Sequence, residues 1–203
     1  MVSSTDICNL ALVEAKYDTT IESLTEESVV AKRCNRLYDK CREEVLSSYP
    51  WNFALKATEV SRLKGISDYV NIFVYPEEAL RILTVYANEN DYVNKKGGRA
   101  PTDCIRVRYH EGRKVIQAPY KTLYIEYVYN EKVEDNFSPL FVRVLYLTIA
   151  LRLAKLAGAN ADDLKLLAQQ LSMAEQEAKT VSAREDDNNK YDMDAEYYIN
   201  VRG

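Results

Sequence analysis

One histidine, one tryptophan and four cysteines are few reactive or metal-binding groups for 203 residues. Each shortage removes a class of function. No two cysteines form a CxxC pair and His110 is the lone histidine, so no zinc-ligand spacing is present. A catalytic cysteine wants a histidine partner, and His110 stands beside a predicted hairpin turn instead of in a nucleophile–base pattern. Cys34 and Cys41 lie on one predicted helix, about 10.5 Å apart at the helical rise, which is beyond the ~7 Å a disulfide spans. They read with Cys8 and Cys104 as reduced thiols acting as small core residues. GxxxxGK(S/T), GxGxxG and GxSxG are all missing, and the acidic pairs Glu43–Glu44 and Asp162–Asp163 read as solvated helix charges. Nothing makes a positive case for an enzyme, and no motif calls for a cofactor or metal. The first residues, MVSSTDICNLALVEAKYD, show neither a basic n-region nor a long apolar stretch, so no signal peptide is visible. A net charge of −4 excludes a globally basic nucleic-acid binder.

What is present suits a globular protein. Hydrophobic residues make up 47% and charged residues 29%, enough to build a core without disulfides or metals, in one domain or a domain carrying an insertion. Asp6 or Thr5 is expected to cap a first helix to about Tyr17, with Ile7, Leu10, Ala11 and Glu14 at helical spacing. After a connector, Thr25 with Ser28 and the acids Glu26 and Glu27 suit the start of a second helix, from about Glu26 to Tyr49. Val30, Cys34, Leu37, Cys41 and Val45 fall near one of its faces, and Lys32, Arg33, Arg36, Lys40, Arg42 and Glu43 on the others. Pro50 ends the helix, because the residue before a proline is pushed out of helical geometry. Trp51 and Phe53 then offer a large aromatic anchor where the chain turns.

Residues 52–136 change character. YVNIFVYP, ALRILTVYA, CIRVRYH, RKVIQA and TLYIEYVYN are short runs rich in Val, Ile and Tyr, broken by Gly, Pro and Asn. HEGR at 110–113 reads as a hairpin turn, and ENDYVNKKGGRAP as an exposed loop. Helix returns at Ser138-Pro139, a cap followed by the position proline prefers, and runs to Gly158, a natural stop. That helix is so apolar that it must be covered on nearly all sides, yet it is charged too often for a membrane span. Asn160 opens a last helix with Leu164, Leu167, Leu171, Ala174, Ala178 and Val181 at steps of three and four. Residues 185–203 hold six acids against Lys190 and Arg202, with Tyr191, Tyr197 and Tyr198 among them. A plain disordered tail lacks such aromatics, so the segment reads as an arm that folds onto a partner.

The expected fold is therefore α+β but mainly α. It is a four-helix bundle, two helices before and two after a β-rich insertion, with an extended C-terminal arm. Residues 1–50 and 137–184 form the bundle, 51–136 the insertion and 185–203 the arm.

Charge is segregated along this chain. Between 95 and 121, Lys95, Lys96, Arg99, Arg106, Arg108, Arg113, Lys114 and Lys121 face only Asp103 and Glu111, an excess of six positive charges in an acidic protein. Arg106 and Arg108 share the strand face opposite Ile105, Val107 and Tyr109. Three readings fit: a solvated sheet face, contact with nucleic-acid backbone, or pairing with an acidic surface such as a neighbour's 185–196 segment.

The run CNLALVEAKYDTTIESLTEESVVAKRCNRLYDKCREEVLSSYPWNFALKATEV carries a family likeness. It resembles the head-to-tail adaptors of short-tailed phages, the tail tubular protein A type. In that family a helix with N-L-A-L leads, through a connector, to a capped helix of the Y-x-x-x-R-(D/E)-E-V-L kind that runs into P-W-N-F-A. The matching positions here are Tyr38, Arg42, Glu43, Glu44, Val45, Leu46, Pro50, Trp51, Asn52, Phe53 and Ala54. The likeness continues in order through YPEEALRILTVY, EGRKVI, LYIEYVYN and FSPLFVRVLYLTIALRLA, covering about residues 7–180, with P-W-N-F-A the most specific part. Val74-Tyr75-Pro76 departs from the family's tyrosine-x-leucine-proline, as does the acidic aromatic arm.

The resemblance implies a non-enzymatic structural protein of the virion tail at the portal vertex, made in the host cytoplasm. It implies a homo-oligomeric ring of roughly twelve subunits with head-to-tail contacts, bound to the portal protein and the downstream tail nozzle, and to tail fibres in some phages. Such a ring touches passing DNA transiently and non-specifically. On this reading Pro50, Trp51 and Phe53 anchor the fold. Arg106, Arg108, Arg113, Lys114, Tyr191, Tyr197 and Tyr198 face a neighbouring subunit or tail partner, and Lys95, Lys96 and Arg99 lie on a loop approaching DNA. The competing reading is a small non-enzymatic DNA-binding or regulatory protein of mixed fold.

Overall fold

The computed structural model describes residues 2–67, 70–89, 92 and 104–200, with the backbone alone for 64–67 and 186–200. The described residues form four α-helices and seven β-strands. The chain divides into two units: unit 1 comprises Met1–Phe53 and Glu131–Gly203, and unit 2 comprises Ala54–Asn130.

Unit 1 holds α1 (Ser4–Glu14), α2 (Val29–Ser48), α3 (Pro139–Ala157) and α4 (Ala161–Asn200). The cap of α1 is Ser3 and not Asp6 or Thr5. The Ser3 hydroxyl accepts from the Asp6 amide at 3.1 Å and the Asp6 carboxylate accepts from the Ser3 amide at 2.9 Å, a reciprocal capping box. Likewise α2 opens three residues later than the expected Glu26, at Val29, with Ser28 as its cap, whose hydroxyl accepts from the Ala31 amide at 3.1 Å. Glu26 is spent in the connector, accepting from the Glu22 amide at 3.0 Å. Ser138 caps α3 with Pro139 behind it, and Gly158 ends it at a φ of 77°, a backbone state that favours glycine.

α3 is the centre of this unit. Phe141, Val144, Leu145, Leu147, Ile149, Ala150, Leu153 and Ala154 are all buried. Helices α1, α2 and α4 each pack on α3, while α1 and α2 barely touch each other. On α1 the covered face is Ile7, Cys8, Ala11 and Leu12, and Leu10 stays half exposed because α3 takes a stripe one position over.

Unit 2 is antiparallel throughout. Strands β1 (Leu55–Glu59), β7 (Tyr124–Tyr129) and β4 (Ala79–Tyr86) form one sheet in the order β1-β7-β4. Strands β2 (Arg62–Ser67), β3 (Val70–Val74), β6 (Arg113–Ala118) and β5 (Arg106–His110) form the other, in the order β2-β3-β6-β5. Phe73, Ile116 and Ala118 from the second sheet and Ala79, Val85, Ile125 and Tyr127 from the first share one hydrophobic core.

This overturns the expectation of a mainly α four-helix bundle with an insertion. The β region is a two-sheet unit with its own core, and the helices gather around α3 instead of forming four equal members. The extended arm is also corrected, since α4 continues as helix through Asn200. No helix among the described residues is long and apolar enough to cross a membrane.

The passage from α2 out of unit 1 is fixed by Trp51. Tyr49 is extended, at φ −149° and ψ 149°, as the following Pro50 demands. The chain then folds the indole inward, where it is 1% exposed. Its Nε1–H donates to the Val45 carbonyl at 2.8 Å, and its ring stands edge-on to Tyr49 and Phe141, each at a centroid distance of 5.3 Å. Phe53 adds a second edge-on contact to Phe141 at 5.0 Å. Truncating so large a buried ring removes about 3–5 kcal/mol. Trp51→Ala is therefore expected to unfold at markedly lower denaturant or to accumulate as insoluble chain, and an unfolding curve matching wild type contradicts the anchor. The thiols give a second check. Cys8, Cys34 and Cys41 are buried and Cys104 is exposed, and burial pushes the Cys41 thiol up to about 11. A thiol-reactive dye is expected to label Cys104 alone in the native protein and all four cysteines in guanidinium; native labelling of the other three contradicts this packing.

Candidate functional site

The β5–β6 hairpin, residues 106–118, gathers the basic residues that composition alone could not place. Its two-residue turn, Glu111-Gly112, has φ values of 49° and 76°. Positive φ at both central positions matches the right-handed twist of the flanking strands and closes a tight hairpin. A side chain at 112 meets no atom within 4 Å, so the backbone angle alone asks for glycine there.

Register then sorts the side chains. Arg106 stands opposite Gln117, Arg108 opposite Val115 and His110 opposite Arg113, so these share one face. Val107 opposite Ile116 and Tyr109 opposite Lys114 share the other, which toward β3 becomes the core face. The expectation that Arg106 and Arg108 lie together holds, and Arg113 joins them, but Lys114 does not. Its ammonium lies 3.9 Å from the centroid of the Tyr75 ring, a cation–π contact. None of Arg106, Arg108, Arg113 and Lys114 has an acidic partner among the described residues.

β5 ends its sheet, and neither of its faces is covered. Val107 is 45% exposed and Tyr109 78%. The hairpin edge therefore offers an arginine row, two apolar side chains and an open strand edge together. Arginines on an edge strand also blunt stray strand pairing. The remaining sites expected from sequence are spread elsewhere. Tyr191, Tyr197 and Tyr198 stand on the last turns of α4, in unit 1. Lys95, Lys96 and Arg99 lie outside the described residues. Pro50, Trp51 and Phe53 form the anchor described above.

A polar cluster on α2 was missed in the sequence. Arg42, expected away from the apolar face of the helix, is 4% exposed. Its guanidinium pairs with Asp39 at 2.8 Å and lies over the Tyr38 ring at 5.9 Å, while the Tyr38 hydroxyl donates to Glu134 at 3.0 Å. Burial beside the Glu134 carboxylate pushes the Tyr38 phenol well above its usual range. The i, i+4 spacing of Tyr38 and Arg42 was the available signal. Glu44, two residues on, pairs with Arg152 and ties α2 to α3. These groups face one another, and the cluster reads as a fold device.

Cavities add little chemistry. A groove of about 440 Å³ runs between the end of α1, the end of α3 and the start of α4, lined by Val13, Lys16, Ala157, Asn160, Asp163 and Leu166. Its charged groups already meet, Lys16 to Asp163 at 2.7 Å. Among the described residues no group of three His, Cys, Asp or Glu is placed to hold a metal ion.

No protein-family model matches the chain, and no curated protein is significantly similar to it. The functional reading must therefore come from the residues themselves. Because the arginines of β5 are exposed and touch no acid, reversing them is not expected to harm the fold. Arg106→Glu with Arg108→Glu is expected to stay within about 0.5 kcal/mol per site of wild type in urea unfolding. A loss of several kcal/mol would mean that this face is buried and not a free surface.

Proposed function

We propose that this chain is a head-to-tail adaptor subunit of a short-tailed phage. In that role it forms a ring of roughly twelve copies, joins the portal to the tail nozzle, extends the DNA channel and is carried in the virion tail. Tail fibres are a further partner on this reading, and the chain performs no catalysis.

The observation that carries the reading is the ordered likeness over about residues 7–180, centred on Pro50-Trp51-Asn52-Phe53-Ala54. That motif falls where the chain leaves unit 1 for unit 2, between Phe53 and Ala54, so its residue types answer to a structural need. Trp51 closes α2, and Asn52 donates to the Ser182 carbonyl at 2.9 Å, fixing α4 to the same corner. A ring subunit also needs unlike adhesive surfaces on one chain. The basic edge at β5–β6 and the acidic end of α4 are unlike in that sense.

A channel subunit must release DNA. Many copies of an arginine row lining a lumen would hold phosphate with steep salt dependence and resist its exit. The proposal therefore directs Arg106, Arg108, Arg113 and Lys114 toward a protein neighbour. The same exposed arginines favour a second reading, a small DNA-binding or regulatory protein. The two separate cleanly by imaging. Purified chain mixed with portal-bearing heads is expected to add a ring beneath the portal in electron micrographs. Heads left bare, with the chain instead retained on duplex DNA at physiological salt, would favour the DNA-binding reading.

A further inference from the structure

Helix α4 is longer than anything in unit 1 that accompanies it. It runs 40 residues, about 60 Å at the helical rise, against 19 residues and about 28 Å for α3. Its contacts with its own unit run from Asp163, which pairs with Lys16, through the buried Leu167, Ala174 and Ala178 to Ser182. Glu177 pairs with Arg143 at 3.0 Å, the Lys179 carbonyl accepts from Tyr49 at 3.2 Å, and the Ser182 carbonyl accepts from Asn52. Among the residues whose side chains are described, Ser182 is the last buried one, and Ala183, Arg184 and Glu185 are exposed. The helix nevertheless continues through Asn200.

The sequence of that continuation is not that of a solvated helix. Residues 185–200 carry six acids against Lys190, with Tyr191, Met193, Tyr197, Tyr198 and Ile199 among them. Tyr191, Ala195 and Tyr198 recur at steps of four and three, the spacing of one helix face. A free helix this short, with Asn188 and Asn189 inside it, is marginal in water. It needs a surface that is basic and partly apolar.

We infer that this surface is the β5–β6 hairpin of a second copy of the chain. Tyr109 and Val107 are exposed there beside Lys114, with Arg106, Arg108 and Arg113 on the opposite face, so an arriving helix reaches both sets only across the open edge of β5. Opposite charge meets opposite charge, aromatic meets apolar, and neither patch matches itself. Donor and acceptor are different surfaces of one chain, so the contact is head-to-tail and repeats from copy to copy. The inference deepens the adaptor reading by naming what joins one subunit to the next.

Two assembly-deficient variants test it. One ends at Glu185, and the other carries Arg106→Glu with Arg108→Glu. The joint predicts that each alone sediments as a monomer with wild-type circular dichroism. Mixed, they form a one-to-one dimer and nothing larger, because only one intact helix end and one intact hairpin remain. If the truncated chain folds poorly, full-length Tyr191→Ser with Tyr198→Ser replaces it, expected to weaken association at least tenfold. Wild-type association should fall as salt rises. The joint is overturned if either variant associates like wild type, if the mixture stays monomeric, or if wild type never self-associates. It is also overturned if the hairpin variant loses only binding to duplex DNA. Portal-bound rings built from the hairpin variant would remove the joint and leave the adaptor reading standing. An intact joint that yields only open filaments would do the reverse.

Discussion

The indole of Trp51 fixes where α2 stops and where the chain leaves the helical unit. Its N–H closes the Val45 carbonyl, one of the acceptors a helix end leaves open, and its ring meets Phe141 on the central helix α3. Pro50 forces the turn that allows this, and Phe53 extends the aromatic contact to Phe137 and Phe141. Asn52, between the two rings, reaches α4. Four consecutive residues therefore hold α2, α3 and α4 in one arrangement, and α3 can bury its long apolar surface only if that arrangement persists.

Electrostatics divides the labour differently from packing. Inside unit 1, charges meet: Arg42 with Asp39, Arg152 with Glu44, Arg143 with Glu177, Lys16 with Asp163. Exposed pairs of this kind contribute little stability each. The hairpin is the opposite case, with four cations that meet no acid among the described residues. Unpaired charge of one sign on a surface steers association and sets its partner more than it strengthens any fold.

The sequence was most legible where a residue type has one physical use. Ser138-Pro139 and Gly158 mark the ends of α3 because a cap, a fixed φ and a positive φ admit few alternatives. The Glu111-Gly112 turn was legible for the same reason. Strands β1 and β2 were not. LKATE is almost wholly exposed, so it shows no alternation of apolar and polar residues, and RLKGIS is broken by bulges against β3. Missing them made the β region look like an insertion and the chain mainly helical. The end of α4 was misread by weighting its acids and tyrosines over a simpler fact: no proline or glycine interrupts residues 161–200. On β5, alternation identified two faces but could not tell that both are open, because edge position depends on strand order and not on the strand's own residues. Arg42 shows the same limit, since its burial depends on Tyr38 and Asp39 lying beside it in the fold.

The central claim is that unlike surfaces of one chain join copies into a closed ring. Weighing the assemblies formed by the 23.3 kDa chain, particle by particle in solution, tests it most directly. The account predicts one dominant closed species near about 280 kDa, the mass of roughly twelve copies. A ladder of masses without an end point, or a chain that remains monomeric at every concentration, would contradict it.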